Sequence, residues 1–490
     1  MHPKLDAHTE FLARSRRSIL IGGQWGEARS GEAWSVENPA LAEALGSVAA
    51  GAEADVDQAV AAARQALEAP AWSRMSPHDR SRLLLRIGDL IARNAEELAQ
   101  LETLNNGMPL GVARMLVSAA AETFVYYAGW PTKLYGETLP SADSLFSYTL
   151  RQPIGVCGQI VPWNGPIGGA AWKLAAALAC GNTVVFKPAE QTPYTTIRLG
   201  ELLLEADVPA GVVNIVTGTG PAAGAAIARH PGVDKVAFTG STEVGRQVLM
   251  ASAGNFKRVT LELGGKSPSL IFADADLDAA AAALAGGFCF LAGQICVAAS
   301  RILVQSEVHD RFVDALARQV ALFQPGDPFD AATTMGPLIS RRQLERVGAY
   351  IETGVREGAQ LVSGGRTPDR PGYFLEPAVF AEVQPSMTIA REEIFGPVTA
   401  VMPFREEAEA VRIANASAYG LAASVWTRDI NRGLRVSRAL EAGTVWINTY
   451  SHLDLIAPFG GLKQSGIGKE LGRQSLDAYT EVKSIHAKIG

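Results

Sequence analysis

Apolar positions along this chain follow three successive patterns. Between Ile19 and Ala50 they come in short runs: Ile19-Leu20-Ile21 before Gly22-Gly23, then Trp34-Ser35-Val36 before Asn38-Pro39. Such runs, stopped by Gly and Pro, predict short strands and turns. Helical spacing follows. Asp55 is placed to cap a helix with Val56, Ala59, Val60, Ala63 and Leu67 on one face. Ser76-Pro77 opens a second, with Leu83, Leu84, Ile87, Leu90 and Ile91 at helical intervals and an end toward Gly107. A third is expected over residues 110–128. Residues 130–152 depart from this, and Gly136, Pro140 and Tyr148-Thr149-Leu150 predict an extended excursion. A surface hairpin and a ribbon that pairs with another subunit both fit it.

From residue 154 strands and helices alternate. Strands are expected at Ile154 to Val161, Thr183 to Phe186, Val212 to Val216 and Lys235 to Phe238, with helices near 167–180, 193–206, 221–230 and 241–252. This alternation predicts a parallel α/β sheet covered by helices on both faces. Ligands of such sheets bind beyond the carboxyl ends of the strands. Polar loops occur at those ends: Pro162-Trp163-Asn164-Gly165-Pro166, Lys187-Pro188-Ala189-Glu190 and Thr239-Gly240-Ser241. A second alternating region starts at Ser269-Leu270-Ile271-Phe272 and runs to about residue 460, and a last strand is expected within Asp477 to Ile489.

Composition narrows the class. The chain has 490 residues, 48% of them hydrophobic and 19% charged, which fits a globular protein of more than one domain. A net charge of −6 leaves no basic footprint for nucleic acid. The segment MHPKLDAHTEFLARSRRS has charges where a signal peptide needs an apolar core, and no stretch is long and apolar enough for a membrane span. The cytoplasm is therefore the expected compartment. Four cysteines (Cys157, Cys180, Cys289, Cys296) make no disulfide framework, and no cluster has zinc spacing, so no metal is expected.

Cys296 is the candidate nucleophile. It follows Gly293-Gln294-Ile295 at a break between an Ala-rich segment and the β-rich run Arg301-Ile302-Leu303-Val304. Such a break can present a thiol to a ligand, although a buried structural cysteine fits the local sequence as well. A GxGxxG fingerprint is missing, since Gly218-Thr219-Gly220 is followed by Gly224. The Thr239-Gly240-Ser241 loop is the better phosphate site: Gly240 lets the backbone approach and Ser241 adds a hydroxyl at a helix N-terminus. Lys187 and Glu190 can hold the hydroxyls of a ribose, and the carboxylate favours NAD over NADP. An exposed ion pair or an ordinary helix cap would look alike from the sequence.

The motifs in combination are specific. Pro162-Trp163-Asn164, Lys187-Pro188-Ala189-Glu190, Phe238-Thr239-Gly240-Ser241, Glu262-Leu263-Gly264-Gly265-Lys266, Gly293-Gln294-Ile295-Cys296, Glu392-Glu393-Ile394-Phe395-Gly396-Pro397 and Pro458-Phe459-Gly460-Gly461 occur in this order. From about Gly22 to the C-terminus the chain resembles the NAD(P)-dependent aldehyde dehydrogenase superfamily. The resemblance implies a Rossmann-like NAD-binding domain (residues 1–129 and 153–264), an α/β catalytic domain (265–464), and a small β oligomerisation ribbon (130–152 and 465–490) in a homodimer or homotetramer. It makes Cys296 the nucleophile that forms a thiohemiacetal, and Asn164 with the Cys296 N–H the donors for its oxyanion. Hydride passes to NAD, and Glu262 activates water to hydrolyse the thioester. Lys173 and Glu470 are candidates for a proton route. Trp163, Gly240, Ser241, Leu263, Glu393 and Phe395, with Lys187 and Glu190, would contact the cofactor. Cys289 is read as packing and His452 as pocket wall.

Departures from the family pattern bear on the substrate. Gly165, Gly168 and Gly169 stand where bulky side chains commonly narrow the tunnel. Trp172, Phe290, Ile295, Val297, Leu453, Leu455, Ile456 and Phe459 would form its wall. A wide apolar tunnel predicts a bulky hydrophobic aldehyde, and the Tyr450 to Phe459 segment resembles members acting on phenylacetaldehyde-like or terpenoid aldehydes. Two rival readings remain: a CoA-acylating dehydrogenase, which typically lacks the Glu262 carboxylate, and a non-catalytic member of the fold, which would usually have lost Cys296, Glu262 or Asn164.

Overall fold

A computed structural model describes residues 9–489. An eight-stranded sheet runs, edge to edge, Gln24–Gly26, Ile19–Ile21, Val213–Ile215, Thr183–Lys187, Val156–Ile160, Lys235–Thr239, Arg258–Glu262 and Gly466–Ile467. The strands from Val213–Ile215 to Arg258–Glu262 are parallel, and both edges are antiparallel. Side chains alternate between its faces, as the pleat requires. Cys157, Val184, Phe186 and Ala237 join the core under the helices Pro77–Arg93, Leu110–Ala128 and Pro166–Ala179. Val156, Val185, Val236 and Phe238 join the core under Glu53–Glu68 and Thr242–Ala251.

The parallel part of this sheet begins at Val156–Ile160, winds outward through Thr183–Lys187 and Val213–Ile215, then crosses to the other side of Val156–Ile160 at Lys235–Thr239. Winding therefore reverses between two adjacent strands, the place where open α/β sheets leave a crevice. The loops after both strands, Pro162–Pro166 and Thr239–Ser241, flank it.

A second sheet of seven strands runs Gln360–Ser363, Ala378–Ala381, Val398–Phe404, Arg301–Gln305, Pro268–Ile271, Ala422–Trp426 and Thr444–Ile447, parallel except at its first pair. Leu263–Ser267 links the two sheets, from the carboxyl end of one strand to the amino end of the next. A separate three-stranded antiparallel sheet joins Thr480–Lys488, Leu145–Pro153 and Thr138–Leu139, so the excursion is a β structure that pairs with the tail of its own chain.

Two expectations need adjusting. Asp55 is not the cap: the helix starts at Glu53, and Asp55 sits in its first turn, accepting the Ala52 N–H at 3.0 Å. The segment running toward Gly107 is two helices, Pro77–Arg93 and Ala95–Asn106, parted at Asn94. Ser76 does cap the first, and Gly107, at φ 85°, ends the second.

Candidate active site

Cys296 lies between the helix Leu277–Cys289 and the strand Arg301–Gln305. The chain reaches it through consecutive left-handed residues, Leu291 (φ 50°), Ala292 (φ 53°) and Gly293 (φ 70°). Non-glycine residues persist there only when their surroundings hold them, which is common beside functional groups. The Leu263–Ser267 link passes directly under Cys296. A Cβ on Gly265 would come 2.5 Å from the Cys296 carbonyl oxygen, so only glycine permits this approach.

A cleft of about 200 Å³ opens above the thiol. It brings together Trp163, Asn164, Gly240, Ser241, Glu262, Leu263, Cys296, Glu393 and Phe395, all singled out in the sequence. Asn164 donates from Nδ2 to the Gln294 carbonyl at 2.9 Å, which fixes its amide beside the cysteine loop and leaves its second N–H. Glu262 ends its strand buried, with both carboxyl oxygens unpartnered among the described residues. Lys173 and Glu470 form a buried ion pair behind it.

Charge is expensive in this setting. Burial, then the carboxylates Glu393 and Glu262, push the Cys296 thiol up to about 12. Burial and then Glu470 raise Glu262 well above the usual carboxylate range, while Lys173 and Lys469 oppose them. Burial raises Glu393 to about 7, opposed by the Gly265 N–H, which it accepts at 3.0 Å.

The residues fit a dinucleotide. Ser241 accepts the Val244 N–H at 3.3 Å and so caps the helix Thr242–Ala251, whose free N–H groups face the crevice end of the sheet. Lys187, buried at the end of its strand, reaches Glu190 at 3.2 Å and the Pro188 carbonyl at 2.9 Å. A donor and a carboxylate so placed match the two hydroxyls of a ribose. Trp163 and Phe395 meet edge to face at 5.3 Å on one wall.

The expected substrate wall is only partly assembled. Trp172, Ile295, Val297, Leu455 and Phe459 form one apolar cluster with Cys296, and Trp172 packs edge-on to Phe459 at 5.6 Å. Phe290 instead packs against the core of the first sheet, while Leu453 and Ile456 are exposed on their loop. A Cβ on Gly165 or Gly168 would enter open space. Gly169 does not share this property: its Cβ would touch Val161 at 3.5 Å, because it faces the sheet. Cys289 is buried in its helix, and His452 is exposed, its carbonyl accepting the Trp446 indole N–H at 2.9 Å.

Gln343 and Arg346 also line the cleft and were not legible in the sequence. They project from the helix Arg341–Arg356 and hold the Glu393–Phe395 segment by its carbonyls, Gln343 to Phe395 at 2.7 Å and Arg346 to Glu393 at 3.0 Å. Their helical spacing marks a shared face, but nothing local says what that face meets.

Known proteins share this architecture. The sequence profile described as "Aldehyde dehydrogenase family" matches residues 25–485. Retinal dehydrogenase 2 of Homo sapiens is 48% identical over 488 residues, covering 99% of this chain and 94% of its own. Aldehyde dehydrogenase from Bacillus cereus in complex with NAD+ is similar at TM-score 0.97 and 47% identity, over 100% of this chain and 99% of that one. Betaine aldehyde dehydrogenase from Staphylococcus aureus, also in complex with NAD+, reaches TM-score 0.97 at 40% identity, over 99% and 98%. Among the described residues no helix is long and apolar enough to cross a membrane. The chain belongs to the aldehyde dehydrogenase family and is an NAD-dependent aldehyde dehydrogenase.

Proposed function

We propose that this enzyme oxidises a bulky hydrophobic aldehyde, aromatic or terpenoid, to its carboxylic acid. The names of its relatives span retinal and betaine aldehyde, so the substrate is read from this chain's own side chains. The observation that carries the reading is the open space at Gly165 and Gly168, beside the apolar cluster of Trp172, Ile295, Leu455 and Phe459. Apolar wall with little to pair an anionic group favours a large, uncharged substrate.

In this reading the Cys296 thiol gives its proton to solvent and the thiolate attacks the carbonyl carbon, giving the oxyanion of a thiohemiacetal. The free N–H of Asn164 and the backbone N–H of Cys296 stabilise the oxyanion, a donor typically contributing about 3–4 kcal/mol. Bound NAD supplies the two-electron acceptor for the oxidation. Lys187 and Glu190 would hold its ribose, the capped helix at Ser241 its phosphates, and Trp163, Leu263, Glu393 and Phe395 its nicotinamide end. Glu190 in that place favours NAD over NADP. Glu262 then takes a proton from the water that hydrolyses the thioester, and its raised basicity suits that task. Lys173 and Glu470 pass the proton onward. The presence of Glu262 also favours hydrolysis over transfer to CoA.

Residues 1–129 and 153–264 then serve the cofactor, 265–464 carry the nucleophile, and the ribbon of 130–152 and 465–490 pairs subunits in a homodimer or homotetramer. Exposed Leu145, Phe146, Leu150 and Val482 on that ribbon support the last assignment. Turnover of geranial, phenylacetaldehyde, acetaldehyde and betaine aldehyde, with NAD and without CoA, tests the substrate. The first two should have the higher kcat/KM, and a clear preference for the last two would overturn the proposal.

A further inference from the structure

Asn164 is held from below as well as from the side. The helix Ala95–Asn106 points its last turn at the Pro162–Pro166 loop, and Glu102 and Asn106, four residues apart, share one face. Both are buried, Glu102 fully and Asn106 at 4% exposure. Asn106 Nδ2 donates to the Trp163 carbonyl at 2.8 Å, on the peptide leading into Asn164. Glu102 Oε1 accepts the Ile167 N–H at 2.7 Å, in the first turn of the helix that follows. Two buried side chains on one rigid element therefore grip the backbone on either side of Asn164. Thr192 adds a weaker bond to the same Trp163 carbonyl at 3.4 Å.

Neither side chain lines the cleft or touches Cys296. Burying a carboxyl and an amide is costly without a purpose for their bonds, and here the Asn106 bond ends on the loop that carries the amide and the Glu102 bond on the first turn of the helix after it. We infer that Glu102 and Asn106 are positioning residues for Asn164, setting where its free N–H meets the oxygen of the substrate. This rests on the reading of Asn164 as an oxyanion donor. The Gln294 carbonyl fixes the side chain, and the helix fixes the peptide from which it springs. Small misplacements of such donors are costly, because they must meet charge that develops only in the transition state.

The test is a double-mutant cycle read by the single-turnover burst of NADH. Asn106→Leu and Asn106→Asp, the second of nearly unchanged volume, should each slow the burst about tenfold, with KM for NAD little changed. Glu102→Leu should do the same, whereas Glu102→Gln, whose amide oxygen still accepts the Ile167 N–H, should restore the rate to within about twofold. In an Asn164→Ala background the same substitutions should alter the burst less than about twofold, since their target is gone. Equal losses in both backgrounds, or failure of Glu102→Gln to restore the rate, would overturn the positioning role alone. An unchanged burst in Asn164→Ala by itself would instead overturn the oxyanion reading, and the positioning role with it.

Discussion

The two halves of the proposed site, which meet at Cys296, are built by different means. The half proposed for the cofactor stands on strand ends: Glu262 and Thr239 lie side by side in register, and the Trp163, Lys187 and Ser241 loops each follow a parallel strand. The half proposed for the substrate is a cluster of loop and helix side chains beside the cleft, Trp172, Ile295, Leu455 and Phe459, gathered from distant parts of the chain. Strand ends fix position through the hydrogen-bond ladder of the sheet. Loop clusters fix only shape, which is where members of one fold can differ in substrate while sharing one chemistry.

Substitutions can break this contrast at four levels. Cys296 serves both halves, and Cys296→Ala should abolish the NADH burst and turnover with every aldehyde, a loss on the order of 10⁴-fold or more. Glu262→Gln should spare the burst but slow acid formation by about 10²- to 10⁴-fold, as rapid-quench product analysis would resolve. A lost burst in that variant would place Glu262 in the first step instead. Gly168→Trp fills space on the substrate side only. It should lower kcat/KM for geranial by roughly 10- to 200-fold while leaving acetaldehyde and KM for NAD near their starting values.

The smallest effect concerns pH. Glu262 acts as base only when ionised, so the hydrolytic rate should rise with pH through its raised pKa. Glu470 contributes to that rise and Lys173 opposes it. Glu470→Gln should move the rising limb to lower pH, and Lys173→Met should move it to higher pH. Stopped-flow deacylation across pH would read both shifts, and limbs moving in the same direction would remove the pair from the proton path.

Much of the cofactor half was readable in advance because its signals are local. A strand, a polar loop and a helix N-cap occur within one short segment, and the Thr239-Gly240-Ser241 turn does join a strand to a helix that Ser241 caps. Gly293 likewise marked the break before Cys296, although the left-handed Leu291 and Ala292 leave no trace in residue type. The substrate half was less readable. Gly169 follows Gly168 directly, yet helix rotation turns one to open space and the other to Val161. Phe290 is as apolar as Phe459, but it packs against the other sheet's core. Gln343, Arg346 and Gln294 act through contacts across 52, 47 and 130 residues of chain, which no local pattern encodes.

The return of the last segment to the first sheet has a consequence for synthesis. Glu470 reaches Lys173 across 297 residues, Gln159 reaches the Tyr479 hydroxyl across 320, and Gly466–Ile467 closes the sheet edge beside Glu262. A chain still leaving the ribosome thus has Cys296 long before it has the surroundings of Glu262. Contacts of such separation form late, after their loop-closure cost is met. A nascent or C-terminally shortened chain would carry Cys296 without the ion pair behind Glu262, so the complete site waits for the segment that brings Glu470.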